Sequence, residues 1–296
     1  MLLELRDIYK SFGEKKVLSG VSLSAESGRA FGLLGRNGAG KTTAIRILMN
    51  VFPQDKGEIL IDGSPIRYDK ISLGYLPEER GLYPKKRIID QLVYFAELKG
   101  MPAYDAAKSA DAWLSKLGMY EYRSKRLDTL SKGNQQKIQL ITALAHNPDI
   151  IILDEPFSGL DPVNAVLLKE VVKEQIERDR IVLFSSHQMS YIEEFCDNIA
   201  IINGGRVAIS GDLTEIKRNY VRDRLTVRTD NPTPILLDLG ARAQQAEDGS
   251  VIIKLTSPDE KADMMRRLAL SYDIDGVSVF EPSLNDIFVE YASDRI

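Results

Sequence analysis

The sequence of 296 residues contains a single cysteine, Cys196, which excludes a framework of intramolecular disulfide bonds. It also has no run of about 18 or more uncharged apolar residues, so we expect no segment that spans a bilayer. The N-terminal residues lack a basic stretch followed by a long apolar run, so we expect no secretory signal peptide. We find neither internal repeats nor low-complexity segments.

A large excess of one charge is absent too. The 39 Lys and Arg residues face 43 Asp and Glu residues, which gives a net charge of −4 and a pI of about 5.5. This mildly acidic balance lacks the electrostatic footprint of a nucleic-acid-binding protein. The length allows one large domain or two unequal ones, each able to bury a core without disulfides.

The charges are distributed unevenly along the chain. Residues 1–218 contain 30 Lys and Arg against 29 Asp and Glu, whereas residues 219–296 contain 9 against 14. A shift of this kind fits a domain boundary, although the basic stretch at the join also fits a solvated helix end. We predict a large domain over residues 1–218 and a small α+β domain over residues 219–296.

Apolar runs and helical patterns alternate through residues 1–218. Ala30–Leu34, Ile150–Leu153 and Ile181–Ser185 read as strands buried on both faces, which favours an α/β domain with a mostly parallel sheet. Turn signals at Asp62-Gly63 and at Asn203-Gly204-Gly205 indicate antiparallel pairs as well. Apolar residues recurring every three or four positions predict a helical insertion at about 88–145.

The C-terminal residues show shorter alternating patterns. They predict two helices, over 258–270 and 285–292, and four strands: Leu225–Val227, Ile235–Leu239, Val251–Leu255 and Val277–Phe280.

A glycine-rich segment after the first buried strand carries the strongest chemical signal. It fits the pattern G-x-x-x-x-G-K-[ST] between a strand and a helix, the context expected of a phosphate-binding loop. Backbone N–H groups and a helix N-terminus would hold phosphate oxygens, the lysine would reach the β- and γ-phosphates, and Thr42 would ligate Mg²⁺. The nucleotide-binding residues are Gly35, Arg36, Asn37, Gly38, Ala39, Gly40, Lys41, Thr42 and Thr43.

Two carboxylates end the strand at Ile150–Leu153. Successive strand residues point to opposite sides, so we expect Asp154 and Glu155 to have different roles. We assign Asp154 to Mg²⁺ and Glu155 to the general base that activates the attacking water.

Four further motifs follow the order found in one family. Phe12 occupies the place of an aromatic residue that stacks on adenine, and His187 follows the strand Ile181–Ser185. A signature-like segment contains Ser131, Lys132, Gly133 and Asn134, and a D-loop-like segment contains Ser158, Gly159, Leu160 and Asp161. With the phosphate loop and the strand-end carboxylates, these motifs resemble those of ATP-binding-cassette (ABC) ATPases over most of residues 1–215.

The resemblance implies a P-loop NTPase domain of the ABC type, with a mixed sheet and a helical insertion. It implies ATP and Mg²⁺ as cofactors, with His187 at the γ-phosphate. It also implies a second ABC ATPase subunit, in a homodimer or in a pair with a paralogue, where the signature residues contact ATP held by the partner. His146 and Cys196, by contrast, read as structural residues.

One position departs from the family pattern. Glu78 stands where the family usually has a glutamine, and its carboxylate can still ligate Mg²⁺; a solvent-facing loop charge is the alternative. This segment, the signature variant and the C-terminal residues 281–288 together resemble the sodium-extrusion (Nat-type) export ATPases. Drug and peptide exporters share much of this pattern.

The subfamily resemblance implies a transporter motor, an ATPase bound peripherally at the cytoplasmic face of the membrane beneath a separate permease. The alternative is a soluble ABC ATPase acting on ribosomes or DNA, although we expect no nucleic-acid partner. A small-molecule phosphotransferase would explain the phosphate loop but not the signature or His187. For the C-terminal domain, dimerisation, regulation and a purely structural role all stay open.

Overall fold

The structure is a computed structural model that describes residues 1–79, 81–157, 160–186, 188–220, 223–246, 248–257 and 259–292. The described chain divides into two compact units. The first comprises residues 1–213 and 288–292, and the second comprises residues 214–287. The chain therefore leaves the first unit within one helix and returns to it within another.

The first unit contains two sheets among its described residues. Their strands, in chain order, are β1 (Leu2–Phe12), β2 (Lys15–Glu26), β3 (Ala30–Leu34), β4 (Lys56–Ile61), β5 (Ser64–Pro65), β6 (Leu73–Leu76), β7 (Ile150–Asp154), β8 (Ile181–Ser185), β9 (Asn198–Asn203) and β10 (Arg206–Asp212).

The six-stranded sheet has the order β10-β9-β3-β8-β7-β6. It is parallel except for the β9–β10 pair. Every residue of β3, β7 and β8 is buried, as expected for strands covered on both faces. Because these strands run in one direction, the residues that follow β3, β6, β7 and β8 meet at one edge of the sheet. We call this edge the strand-end edge.

The second sheet is antiparallel, with the order β2-β1-β4-β5. The predicted turns at Asp62-Gly63 and Asn203-Gly204-Gly205 do join antiparallel pairs, so the prediction of a mixed α/β domain is confirmed. Leu5 and Val21 of this sheet share one apolar core with Leu33 and Ile152 of the parallel sheet.

The helices of the first unit connect and cover these strands. They are α1 (Lys41–Leu48), α2 (Ile88–Leu98), α3 (Ala103–Lys116), α4 (Lys132–Leu144), α5 (Pro162–Glu177) and α6 (Met189–Phe195). The predicted helical insertion contains α2, α3 and α4. In α3, Ala106, Ala110 and Leu114 recur every four residues and are all fully buried, so one face of this helix packs on the protein.

The second unit is an antiparallel sheet with helices. After α7 (Leu213–Asn219), its elements are β11 (Arg224–Arg228), α8 (Thr233–Leu239), β12 (Ala243–Gln245), β13 (Val251–Lys254), α9 (Glu260–Ser271) and β14 (Gly276–Val279), and α10 (Leu284–Ala292) ends the described chain. The sheet order is β12-β13-β11-β14. Leu225 and Ile253 from the sheet pack with Ile235 and Leu268 from the helices.

One predicted element of this unit is wrong. Ile235–Leu239 was expected to be a strand and forms most of α8 instead. A five-residue segment with four apolar residues and one aspartate, Asp238, does not distinguish a strand from a buried helical turn. Pro234 in the first turn of α8 favours a helix start, since proline has no N–H to leave unpaired there.

Candidate functional site

The glycine-rich segment forms a tight loop between β3 and α1. Gly35 and Gly40 are both buried, and neither has room for a side chain. A Cβ on Gly35 would lie 2.5 Å from the Ile202 carbonyl oxygen, and one on Gly40 would lie 2.6 Å from Leu18 Cδ2. The loop therefore closes against β9 and β2, which leaves its exposed middle, residues 36–38, open to a ligand.

Lys41 begins α1 and turns back into the loop. Its Nζ donates to the Gly35 carbonyl oxygen at 2.5 Å and to that of Arg36 at 3.4 Å. Burial lowers the pKa of Lys41, and the charges of Glu155, Asp154 and Glu78 oppose this shift. The phosphate loop thus holds a partly desolvated ammonium group opposite three carboxylates.

Asp154 and Glu155 lie at the end of β7, where they are only 5% and 7% exposed. Burial raises the pKa of Asp154, with a further contribution from the charge of Glu78. The Tyr75 hydroxyl, from the neighbouring strand β6, donates to Asp154 Oδ2 at 3.4 Å. A buried carboxylate of this kind is stabilised by a cation.

Glu155 is fixed by the end of β8. Its N–H donates to the Ser185 carbonyl oxygen at 2.8 Å, and its Oε2 accepts a hydrogen bond from the Ser186 hydroxyl at 3.1 Å. Its backbone has a φ of +50°, a region that residues other than glycine rarely adopt. Strained backbone of this kind concentrates at functional sites.

The other predicted metal ligands lie around the same site. Thr42 is exposed in the first turn of α1, and Thr43 beside it is half-buried. Glu78 is exposed two residues after β6, at the strand-end edge. Among the described residues no group of three or more His, Cys, Asp or Glu side chains forms a metal site by itself.

The signature-like residues begin α4. Ser131 is its N-cap, and its hydroxyl accepts a hydrogen bond from the Asn134 N–H at 3.4 Å. Ser131 and Lys132 are exposed, whereas Gly133 and Asn134 are half-buried. The Gln136 side chain donates to the Pro156 carbonyl oxygen at 3.4 Å, which connects α4 to the segment after Glu155.

The D-loop-like residues lead into α5. Asp161 is the N-cap of this helix and accepts from the Asn164 N–H at 3.0 Å, while Leu160 is half-buried before it. Two predicted D-loop residues, Ser158 and Gly159, and the predicted switch residue His187 lie outside the described residues.

Phe12 lies at the end of β1 with 49% of its surface exposed. Its ring contacts the Phe52 ring edge-on, with the centroids 5.3 Å apart, and the Lys10 Nζ lies 5.5 Å from the Phe12 centroid. A half-exposed aromatic ring of this kind offers a stacking surface, and its role with adenine stays a prediction.

Tyr75 and Ser186 are residues of the site that reasoning from the sequence did not identify. Tyr75 reaches Asp154 from β6, and Ser186 reaches Glu155 from the end of β8. A polar side chain at the end of an otherwise apolar strand was the available signal. Their partners, however, depend on the pairing β6-β7-β8, which only the structure supplies.

A glycine-rich loop between a strand and a helix, with a lysine inside it and carboxylates on a nearby parallel strand, defines a nucleotide-binding protein of the P-loop class. Residues 18–158 match the ABC transporter family, and residues 211–292 match the family described as ATP-binding protein DrrA1-3-like, C-terminal domain.

Whole-chain relatives agree with these matches. The chain is 42% identical to the uncharacterized ABC transporter ATP-binding protein YhaQ of Bacillus subtilis, covering 98% of both chains. It is 33% identical to the ABC transporter ATP-binding protein NatA of Bacillus subtilis, covering 73% of this chain and 91% of the relative. The chain therefore belongs to the ATP-binding proteins of ABC transporters.

Solved structures place the fold in the same family. A structure described as the ATP binding subunit of an ABC transporter is 29% identical and has a TM-score of 0.68 over 74% of this chain and 93% of that one. The fold is thus that of an ABC cassette, and the chain is an ATPase of this family, whose members dimerise and work with membrane permeases. No helix within the described ranges is long and apolar enough to cross a membrane.

Proposed function

We propose that this chain hydrolyses Mg²⁺-bound ATP as a homodimer and drives export through a separate permease, attached peripherally to the cytoplasmic face of the membrane. The observation that carries this proposal is the meeting of Lys41, Asp154 and Glu155 beside the phosphate loop. A cation inside the loop and two buried carboxylates next to it provide the binding and the proton transfer that phosphoryl transfer to water needs.

The residues present fit a magnesium ion bound together with ATP. Burial raises the pKa of Asp154, so a cation beside this carboxylate would stabilise its charged form. Mg²⁺ usually takes one or two carboxylates from the protein and completes its shell with phosphates and water. Thr42, Asp154 and Glu78 would hold the ion. When bound, Mg²⁺ neutralises phosphate charge and orients the phosphates.

The protein's own residues would carry the remaining chemistry. Backbone N–H groups of the loop and the Lys41 ammonium bind the phosphates, and Phe12 stacks on adenine. Glu155 accepts a proton from the attacking water. His187 donates a hydrogen bond to the γ-phosphate, as the family resemblance implies.

The signature residues support a site shared between two subunits. Ser131 and Lys132 are exposed at the start of α4, where the helix N-terminus favours an anion. We assign Ser131, Lys132, Gly133 and Asn134 to the ATP held by the partner subunit, and Ser158, Gly159, Leu160 and Asp161 to the contact between subunits.

The direction of transport rests on the subfamily. The C-terminal match and the relative NatA agree with the sequence motifs that resemble sodium-extrusion ATPases. Export of sodium, a drug or a peptide is therefore the assignment, and the cargo is selected by the permease. We assign residues 1–218 to ATP hydrolysis and residues 219–296 to an accessory domain.

The shared site is tested by mixing two inactive variants. Lys41→Ala disables a subunit's own phosphate loop, while Ser131→Asp keeps a good N-cap on α4 but repels the γ-phosphate of the partner's ATP. Each variant alone is expected to be inactive. In an equimolar mixture, heterodimers regain one intact site, so the ATPase rate is expected to return to about a quarter of the wild-type rate.

Two controls accompany this mixture. Ser131→Thr, which keeps the hydroxyl, is expected to retain activity, and doubling the concentration of either inactive variant is expected to give none. A mixture that stays inactive would show that the signature does not act on a partner's ATP. Activity of Lys41→Ala by itself would overturn the phosphate-loop assignment.

A further inference from the structure

Ser186 lies between β8 and α6 and has no role in the mechanism proposed above. It is the first residue after β8 and is 2% exposed. Its hydroxyl donates to Glu155 Oε2 at 3.1 Å and accepts a hydrogen bond from the Gln188 N–H at 3.0 Å. One buried hydroxyl therefore connects the carboxylate of Glu155 to Gln188, the N-cap of α6.

The end of β8 holds Glu155 at two points. The Ser185 carbonyl oxygen accepts from the Glu155 N–H at 2.8 Å, which fixes the backbone, and Ser186 fixes the carboxylate. The backbone φ of +50° at Glu155 persists because its surroundings hold it. A glutamate side chain has three rotatable bonds, so each hydrogen bond to its carboxylate narrows the range of orientations that it samples.

We propose that Ser186 is a positioning residue that orients the Glu155 carboxylate toward the attacking water and ties it to the start of α6. The inference rests on the proposed role of Glu155 as general base. A general base acts only when it lies within hydrogen-bond reach of the proton it takes. A hydrogen bond from Ser186 to one carboxylate oxygen sets the direction of the other, so a fixed Oε2 fixes the geometry of proton transfer.

The proposal is tested by steady-state ATP hydrolysis with the full chain. Ser186→Ala is expected to lower kcat by about tenfold to a hundredfold, since a hydrogen bond to a charged group is lost. The KM for ATP is expected to stay near wild type, because the phosphate loop and Lys41 supply the binding contacts. Ser186→Thr keeps the hydroxyl and is expected to restore most of kcat.

A matched control loses a hydroxyl elsewhere in the same unit. Ser109 donates to the Ala145 carbonyl oxygen at 2.6 Å, away from the strand-end edge, so Ser109→Ala is expected to leave kcat unchanged. If Ser186→Ala is too unstable to assay, Ser186→Cys provides the comparison, because a thiol has a similar size and is a weak donor. Wild-type kcat in Ser186→Ala, or in this substitute, overturns the proposal.

A double variant separates positioning from a general structural role. In single-turnover assays, Ser186→Ala is expected to cause no further loss in a Glu155→Gln background, because the base it orients is gone. An equal loss in both backgrounds would show that Ser186 acts independently of Glu155 and would overturn the inference alone. Full hydrolysis by Glu155→Gln itself would instead overturn the proposed role of Glu155.

Discussion

The phosphate loop depends on the close packing of Gly35 as well as on the charge of Lys41. Gly35 faces the Ile202 carbonyl oxygen so closely that a methyl group would lie only 2.5 Å away. That neighbour is backbone in a buried strand and cannot move aside cheaply. The loop therefore keeps its shape because β9 packs against it, and Lys41 is held within it by the Gly35 carbonyl oxygen.

Gly35→Ala is expected to displace the loop and to weaken ATP binding by about tenfold or more, equivalent to at least about 1.4 kcal/mol. The measurement is isothermal titration calorimetry with ATP. Gly100→Ala is the matched control, since Gly100 has a φ of +87° but no atom within 4 Å of the added Cβ. Gly100→Ala is expected to lower the free energy of unfolding by about 1–2 kcal/mol, because alanine disfavours a left-handed backbone, and to leave ATP binding unchanged. Equal ATP affinities in the two variants would contradict this account.

At the scale of elements, an aromatic cluster joins the segments on either side of the site. Phe157 is 3% exposed and stacks on Tyr191 of α6 with the ring centroids 4.0 Å apart. Phe184 of β8 and Phe195 of α6 complete the cluster. The segment after Glu155 is therefore packed against α6 independently of the hydrogen bond from Ser186.

Phe157→Ala is expected to lower the free energy of unfolding of the first unit by about 3–5 kcal/mol, because it leaves a cavity among stacked rings. Urea denaturation of the full chain measures this change. Tyr104→Ala is the control, since Tyr104 is 79% exposed and a surface substitution changes stability by about 0.5 kcal/mol at most. Similar losses in the two variants would show that the cluster contributes little to packing.

The second unit contains a carboxylate held by three hydrogen bonds. Glu260 at the start of α9 accepts from the Thr256 hydroxyl, from the Thr256 N–H and from Arg242, each at 2.6 Å. These bonds, with the Thr256 hydroxyl contributing most, lower the pKa of Glu260 from 4.5 to about 2. They stabilise the charged form in the folded state only.

Because the folded-state pKa is depressed, this stabilisation is complete above pH 4.5 and is lost as the pH falls toward about 2. Glu260→Gln is therefore expected to lower the urea midpoint of the second unit at pH 7. The effect is expected to shrink as the pH falls from 4.5 toward about 2. Asp263→Asn is the control, since Asp263 is 82% exposed and lies 3.7 Å from Arg266. A difference between Glu260→Gln and wild type that is independent of pH would contradict the prediction.

The elements that the sequence predicted well are those whose burial is unbroken. β3, β7 and β8 are apolar throughout or nearly so, and this pattern predicts strands that are buried on both faces, as they are in the structure. α8 differs from the predicted strand because a five-residue segment with four apolar residues fits either a strand or a helix. In the site, the phosphate loop and the two carboxylates can be predicted from short motifs in the sequence. The hydrogen bonds from Tyr75 and Ser186 cannot, because they depend on which strands are neighbours in the sheet.

At the scale of the whole molecule, the charge pattern and the contacts divide the chain at slightly different places. The charge balance shifts after residue 218, whereas the contacts divide the chain between Leu213 and Thr214, within α7. The basic residues Lys217 and Arg218 lie in the last turn of this helix, so the polar stretch that suggests a boundary is also a helix end. The functional domain limits stay a prediction.

The proposed site needs two subunits, since Glu155 would act on the ATP of its own subunit and Ser131 on the ATP of the partner. Glu155→Gln is expected to bind ATP and form a dimer that persists, because an amide cannot accept the proton of the attacking water. Light scattering after size exclusion should then show a mass near twice 33.1 kDa with Mg²⁺-ATP. Adding Lys41→Ala to this variant removes the phosphate contact and should return the monomer. A Glu155→Gln chain that stays monomeric at saturating Mg²⁺-ATP would contradict the shared site, because the signature residues at the start of α4 would then have no partner's γ-phosphate to bind.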